Sequence, residues 1–318
     1  MLLLAKKYDN FIAMTNSADA IGQLEELQRT NLKETAYDLI YQRLKSLVDV
    51  VGKFPAMPYT IAAGRSIYRS RFHDKHTEVF YFERDISYRT DWQNIQSLGR
   101  ANPTESTVFY GAISHKSGDE GYLVSSVETS RNFRNNKLGI ETATIGKWIV
   151  KRDMEFVAIV SADAYKNKIP GLDSANNFYQ TMLSQHPMGE FVRKLVDYVS
   201  DQYAKPVANG DNHEYKISAA FSQILMERGV HGIVYPSVQS EYEGLNVVMM
   251  PYVIDENLIL DKVLVAQLHR QDYSGKVLFP QFHIADLRYG IHSHPFPYTP
   301  LTSEHYLGFN GLQPHVSK

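Results

Sequence analysis

Apolar residues recur at helical spacing near the start of the chain. Ile21, Leu24 and Leu27 lie three apart, and Ala36, Leu39, Ile40, Leu44, Leu47, Val48 and Val51 form one broad stripe. This spacing predicts two helices between residues 15 and 52, with Asn16 or Ser17 capping the first and Gly52 stopping the second. Pro55 and Pro58 then mark a linker. A helical hairpin of this kind either packs on a core or grips a partner, and packing is the expectation.

From Tyr59 onward the period shortens. Ser66–Phe72, Glu78–Phe82 and Ser106–Ile113 read as strands, as do Trp148–Val150 and Phe156–Val160. Lys116–Asn136 is polar, rich in Ser and Asn, and predicts a long loop or insertion. Ala175–Gln202 is helical and broken in two by Pro187, and His213–Arg228 is a further helix ended by Gly229. Gly232–Tyr235 reads as a buried strand, followed by strands at Asn246–Tyr252 and Leu264–Leu268. The last 36 residues are rich in His, Pro and Tyr and lack periodicity, as a disordered tail or an irregular arm on the core would. Strands and helices mix without regular β-α-β alternation, which predicts an α+β fold with a mainly antiparallel sheet. The expected organisation is a helical extension over 1–58, a central domain over 59–268 and an irregular arm over 269–318.

Composition narrows the function classes. Of 318 residues, 43% are hydrophobic, enough for a real core. Thirty-three basic residues balance 35 acidic ones, for a net charge of −2, so neither a nucleic-acid nor an anionic-membrane partner is expected. The chain has no cysteine, which excludes disulfides, thiolate metal sites and cysteine nucleophiles. No run approaches the apolar length of a membrane span, and the charges of Lys6 and Lys7 follow the first apolar run instead of preceding it. A cytoplasmic location is the expectation. Gly-x-Gly-x-x-Gly, Walker-type, Gly-x-Ser-x-Gly and His-Glu-x-x-His motifs are absent. His73 with His76, and His292 with His294, read as surface histidines, so no metal is expected.

Three segments carry candidate chemistry. In Ile67-Tyr68-Arg69-Ser70-Arg71-Phe72, arginine alternates with apolar residues on a strand and points away from them. In Leu98-Gly99-Arg100-Ala101-Asn102-Pro103, a Gly-Arg turn leads into the strand bearing Phe109-Tyr110-Gly111. In Gly232-Ile233-Val234-Tyr235-Pro236-Ser237, a hydroxyl sits at a strand mouth, either as a turn cap or as a fixed donor to a ligand.

In this order the segments resemble the RES-domain family, over a stretch running from about Tyr59 to Leu268. The resemblance implies a fold related to ADP-ribosyltransferases, with NAD in a cleft between two small sheets. It implies cleavage of the nicotinamide–ribose bond, with NAD as substrate and no metal. Arg69 would be the family arginine, Tyr110 the tyrosine beside the nicotinamide and Ser237 the serine. Arg100 would be a second basic group in the cleft, and Tyr68 and Tyr235 further ligand contacts. The family glutamate follows the tyrosine strand. Here Glu141, opening the next ordered segment, is the expected residue, and Glu128 is its rival. Water, inorganic phosphate or a protein side chain could accept the ribosyl group. Family members often act as toxins that deplete NAD and are held in check by an antitoxin protein.

These residue types suit that chemistry. Arginine presents a planar fork of donors to phosphate oxygens. A carboxylate stabilises an oxocarbenium-like ribose, and an aromatic face holds the nicotinamide ring. Two other readings stand beside this one. A protein ADP-ribosyltransferase would use Glu241 or Glu243 of Ser240-Glu241-Tyr242-Glu243, and a non-catalytic module would bind NAD or a partner without turnover.

Overall fold

The structure is a computed structural model describing residues 17–74, 80–114, 121–160, 172–208, 210–240, 244–273, 277–287 and 294–300. Helices α1 (Ser17–Gln28) and α2 (Tyr37–Asp49) open the chain, followed by strands β1 (Met57–Ile61) and β2 (Ser66–Phe72) and the short helix α3 (Glu83–Ile86). Next come β3 (Phe109–Ser114), α4 (Gly121–Thr129), α5 (Arg131–Arg134), β4 (Gly139–Val150) and β5 (Met154–Ala158). Then follow α6 (Leu172–Gln185), α7 (Gly189–Ala204), α8 (Lys216–Glu227), β6 (Gly232–Pro236), β7 (Gly244–Met249) and α9 (Pro251–Asn257). The described chain ends with β8 (Leu258–Arg270), β9 (Val277–Leu278), β10 (Gln281–Asp286) and β11 (Thr299–Pro300).

The predicted N-terminal helices are present and packed. Leu24 and Leu27 of α1, and Ile40, Leu44, Leu47 and Val48 of α2, bury their side chains in the same apolar cluster as Phe191 and Phe221 of α7 and α8. Polar contacts tie the hairpin down. Lys216 Nζ donates to the carbonyls of Leu32 at 2.7 Å and Thr35 at 2.6 Å, and Tyr37 Oη donates to Gln223 Oε1 at 2.8 Å. The extension therefore shares one core with the rest of the chain.

The fold is α+β, with flanking helices on a large mixed sheet. Its order is β1-β5-β6-β7-β3-β2-β4-β8-β10-β11, with β9 beside β8. Among the described residues only the β5–β6 pair is parallel. The sheet is nearly interrupted in the middle. β2 pairs with β4 along its whole length, from Ser66↔Ile149 to Phe72↔Ala143, yet meets β3 only at Tyr68↔Ala112. Two apolar clusters pack on the sheet. The larger runs across the break, from β1, β5, β6, β7 and β3 to Trp148 of β4 and Leu260 of β8, and the smaller gathers Tyr68, Tyr122, Ala143, Ile145, Leu264 and Ile284.

Several boundaries differ from those read in the sequence. The described part of Lys116–Asn136 is helical, forming α4 and α5. The buried face of α4 includes Gly121, Ser125 and Ser126, so a packed helix reads as polar loop. Phe80–Phe82 carries no ladder pairing and leads into α3, while Glu78 lies outside the described residues. β7 stops at Met249 because Pro251 starts α9 at a position where a missing N–H costs nothing. The C-terminal arm supplies β10 and β11 to the sheet edge, with Ile284↔Leu264 and Ile284↔Thr299 in register. No helix among the described residues is long and apolar enough to cross a membrane.

Truncating the hairpin core tests its union with the body. Leu44→Ala is expected to lower the free energy of unfolding by about 2–5 kcal/mol. Denaturant titration followed by circular dichroism should show this in the main transition. A separate early transition confined to the hairpin would contradict it.

Candidate functional site

The site begins at the break between β2 and β3. Continuing the Tyr68↔Ala112 register would set Ser70 opposite Tyr110, where the strands would next exchange hydrogen bonds. Both backbone groups are taken elsewhere. The Ser70 N–H donates to Ser125 Oγ of α4 at 2.7 Å, and the Tyr110 carbonyl accepts from Arg69 Nη1 at 2.8 Å. A helix hydroxyl and a guanidinium thus replace ladder bonds, and the strands part. Gly111 sits at this point, where a Cβ would meet Ile67 Cγ2 at 2.6 Å.

A cavity of about 540 Å³ opens there. That falls in the range of small-molecule sites. Arg69, Arg71, Arg100, Arg131 and Arg134 line it, together with one carboxylate among the described residues, Glu128. Tyr110, Tyr215, Tyr235, Gln239 and Asn246 also face it. Arg69 lies over the Phe109 ring, 5.1 Å from its centroid, and its Nε is buried without a partner. Burial, and then the charge of Arg71, draw its pKa down to about 10, so it remains a cation at neutral pH. Burial raises the phenols of Tyr110 and Tyr235, which stay neutral.

The Gly-Arg turn locks Tyr110. Its hydroxyl donates to Asn102 Oδ1 and accepts from the Ala101 N–H, each at 2.8 Å. Asn102 Nδ2 donates onward to the carbonyls of Pro103 and Ser106. A Cβ on Gly99 would collide with Asn102 Oδ1 and lie 2.7 Å from Tyr110 Oη, so only glycine fits beside this knot. With its hydroxyl tethered, Tyr110 is left with its ring to offer the cavity. Arg100 has a structural task too. Its Nη1 donates to the carbonyls of Gln202, Tyr203 and Lys205 at the end of α7, and its guanidinium lies 4.9 Å from the Tyr215 ring centroid.

Helix α4 delivers the carboxylate. Ser125, Glu128 and Thr129 stand at i, i+3 and i+4, one face of a helix, and all three line the cavity. Glu128 Oε1 accepts from Ser237 Oγ at 2.6 Å and from the Gln239 N–H at 3.1 Å. Its Oε2 accepts no hydrogen bond from the described residues. Ser237 itself is fully buried, and Ser240 Oγ donates to it at 2.7 Å. The late Tyr-Pro-Ser turn therefore acts on the cavity through Glu128.

Three expectations need correction. Glu141 does not line the cavity. It caps α5, its Oε1 accepting from the Arg131 N–H at 2.9 Å and its Oε2 from the Asn132 N–H at 3.1 Å and from Ser130 Oγ. The geometry therefore favours Glu128, the rival. Tyr68 points the other way from Arg69, into the smaller core, where it meets Tyr122 edge-on at 6.1 Å. Strand alternation, which marked Arg69, excludes its neighbour from the same face. His73 is buried, not on the surface. It stacks on Phe80 at 4.6 Å, with Nε2 at 2.9 Å from Thr144 Oγ1. His294 is exposed, and His76, His292, Glu241 and Glu243 lie outside the described residues. Among the described residues no cluster of three or more His, Asp or Glu could hold a metal ion. Sequence reasoning missed Ser125, Asn246 and the helical setting of Glu128. The i, i+3, i+4 spacing of Ser125, Glu128 and Thr129 was the available signal.

Losing the Glu141 cap should cost stability alone. Glu141→Ala is expected to destabilise the fold by about 0.5–2 kcal/mol, as loss of an N-terminal cap does. Chemical denaturation checks this. No protein-family model, curated protein or solved structure matches the chain.

Proposed function

We propose that the cavity binds NAD and cleaves its nicotinamide–ribose bond, as the resemblance to the RES-domain family implies. The observation that carries this reading is the state of Glu128. Among the described residues it is the one carboxylate in a cavity lined by five arginines, fixed through Oε1 by Ser237 and Gln239, with no described residue donating to Oε2. The near-break between β2 and β3 also supports a relation to the ADP-ribosyltransferase fold, whose cleft lies between two sheets.

The division of labour follows from charge. The arginines take the pyrophosphate, which carries the negative charge of NAD. The rings of Tyr110 and Tyr235 offer faces to the cationic nicotinamide. Glu128 Oε2 accepts the hydrogen bond of a ribose hydroxyl. In the reaction the bond from the anomeric carbon to the nicotinamide nitrogen breaks. Its electron pair leaves with the ring and neutralises the ring charge. Positive charge passes to the ribose, where Glu128 stabilises it. A water or phosphate oxygen then bonds to the anomeric carbon, giving ADP-ribose or its phosphate ester; water sheds one proton in the process. Ser237 holds the carboxylate and does not touch the substrate.

The test is nicotinamide release from NAD by the purified full chain, followed by chromatography. Glu128→Gln is expected to cut the rate about 100- to 1,000-fold, the scale of losing a group that stabilises transition-state charge. Glu141→Gln is expected to keep the rate. Intact NAD after prolonged incubation with folded protein would falsify the reading. Repeating the assay with and without inorganic phosphate identifies the acceptor from the product.

A further inference from the structure

The C-terminal arm reaches the cavity through one arginine. Arg71 lines the cavity, and two groups fix its guanidinium. Its Nη1 donates to the Asp85 carbonyl, and its central carbon lies 4.8 Å from the Phe80 ring centroid. Both groups belong to the short segment Phe80–Ile86, which has no ladder pairing of its own. Phe80 also packs against a buried group: His73 stacks on the ring at an interplanar angle of 26°.

Residues 294–300 fasten that segment. The Phe296 N–H donates to the Tyr81 carbonyl and Tyr298 Oη donates to the Phe80 carbonyl, each at 2.7 Å. The Tyr298 ring meets Tyr81 edge-on at 6.0 Å. On the β4 side, His73 Nε2 lies 2.9 Å from Thr144 Oγ1. Beyond Tyr298, β11 anchors the arm to β10. The arm is thus pinned on one side by the sheet and on the other by the backbone under Arg71.

We infer that Tyr298 is a positioning residue for Arg71, acting through Phe80 to hold this guanidinium where it grips the anionic part of the ligand. The inference rests on the reading that the cavity holds NAD. Its chemistry, an arginine held against phosphate oxygens, applies equally to inorganic pyrophosphate, and that separates the two ideas by experiment. Without the Tyr298 hydroxyl, the Phe80 carbonyl loses its donor and the platform beneath Arg71 loosens. Arg71 then spends less time in the binding geometry, while Glu128 on α4 is untouched.

The experiment is a double-mutant cycle on the full chain, reading dissociation constants for NAD and for pyrophosphate by calorimetry well below the melting temperature. Arg71→Ala is expected to weaken both ligands about tenfold or more, as loss of a charge-assisted hydrogen bond does. Tyr298→Phe alone is expected to weaken both about fivefold, the scale of one hydrogen bond. In the Arg71→Ala background Tyr298→Phe should add nothing. In turnover, Tyr298→Phe should raise KM and spare kcat. Thr144→Val removes the partner of His73, which stacks on Phe80, and should reproduce the effect, which guards against poor folding of one variant. Additive losses, or unchanged affinity in Tyr298→Phe, would overturn the inference. Binding of pyrophosphate without NAD, with the cycle still non-additive, would sink the NAD reading and uphold the arm. Binding of neither by the wild type would overturn both.

Discussion

The interrupted ladder between β2 and β3 is the constraint on which the site depends. A sheet gains by pairing every backbone donor and acceptor, and a buried unpaired group is costly. Opening the sheet therefore needs substitutes at the point of parting. The chain supplies them as Ser125 Oγ for the Ser70 N–H and Arg69 Nη1 for the Tyr110 carbonyl. The same two substitutes build the cavity. Ser125 brings α4 into the gap, and Glu128 follows one turn later. Arg69 is drawn under the cavity by the bond that keeps the strands apart. Structure and candidate chemistry are carried by the same atoms, so a change at Arg69 affects both.

The Glu128 carboxylate illustrates how distant segments converge. α4 sets its height, the Ser237 hydroxyl fixes one oxygen, and the Gln239 N–H adds a second donor. Ser237 is positioned by its own N–H on the Gly244 carbonyl at 2.9 Å, across the turn between β6 and β7. A carboxylate held in this way loses little freedom when a ligand arrives, which is the advantage of preorganisation. Glu141 makes a contrasting case. Its two oxygens accept three hydrogen bonds at the start of α5, away from the cavity lining, which commits it to holding that helix.

Much of the fold was legible where side-chain pattern and burial agree. The α1–α2 hairpin and α7 and α8 followed from apolar spacing, and Arg69 followed from alternation on β2. The reading failed where burial uses polar residues. α4 buries Ser125 and Ser126 because hydroxyls are needed beside the parted strands, and this need is tertiary. A polarity pattern records those serines as loop. Glu128 was consequently set in a loop and ranked below Glu141, which sits on a long strand with an ordinary pattern. The arm was unreadable for a different reason. β10 takes its register from β8, and the two-residue edge strand β11 takes its own from β10, so local sequence carries little of either.

The overall charge of the chain concealed the character of the cavity. The net charge of the chain is −2, yet five arginines and, among the described residues, one carboxylate line the site. The manner of holding those arginines explains how the charge survives. Arg69 bonds the Tyr110 carbonyl, Arg71 that of Asp85, Arg100 those closing α7, and Arg134 that of Glu128. Of the five, Arg131 pairs with a carboxylate, Asp74, and that pair is exposed to solvent. A carbonyl orients a guanidinium through one of its five donors and leaves the positive charge intact, whereas a carboxylate would cancel it. Backbone dipoles thus aim the cations without neutralising them. Five cations aimed into one cavity give it a positive field that the net charge of the chain does not reveal.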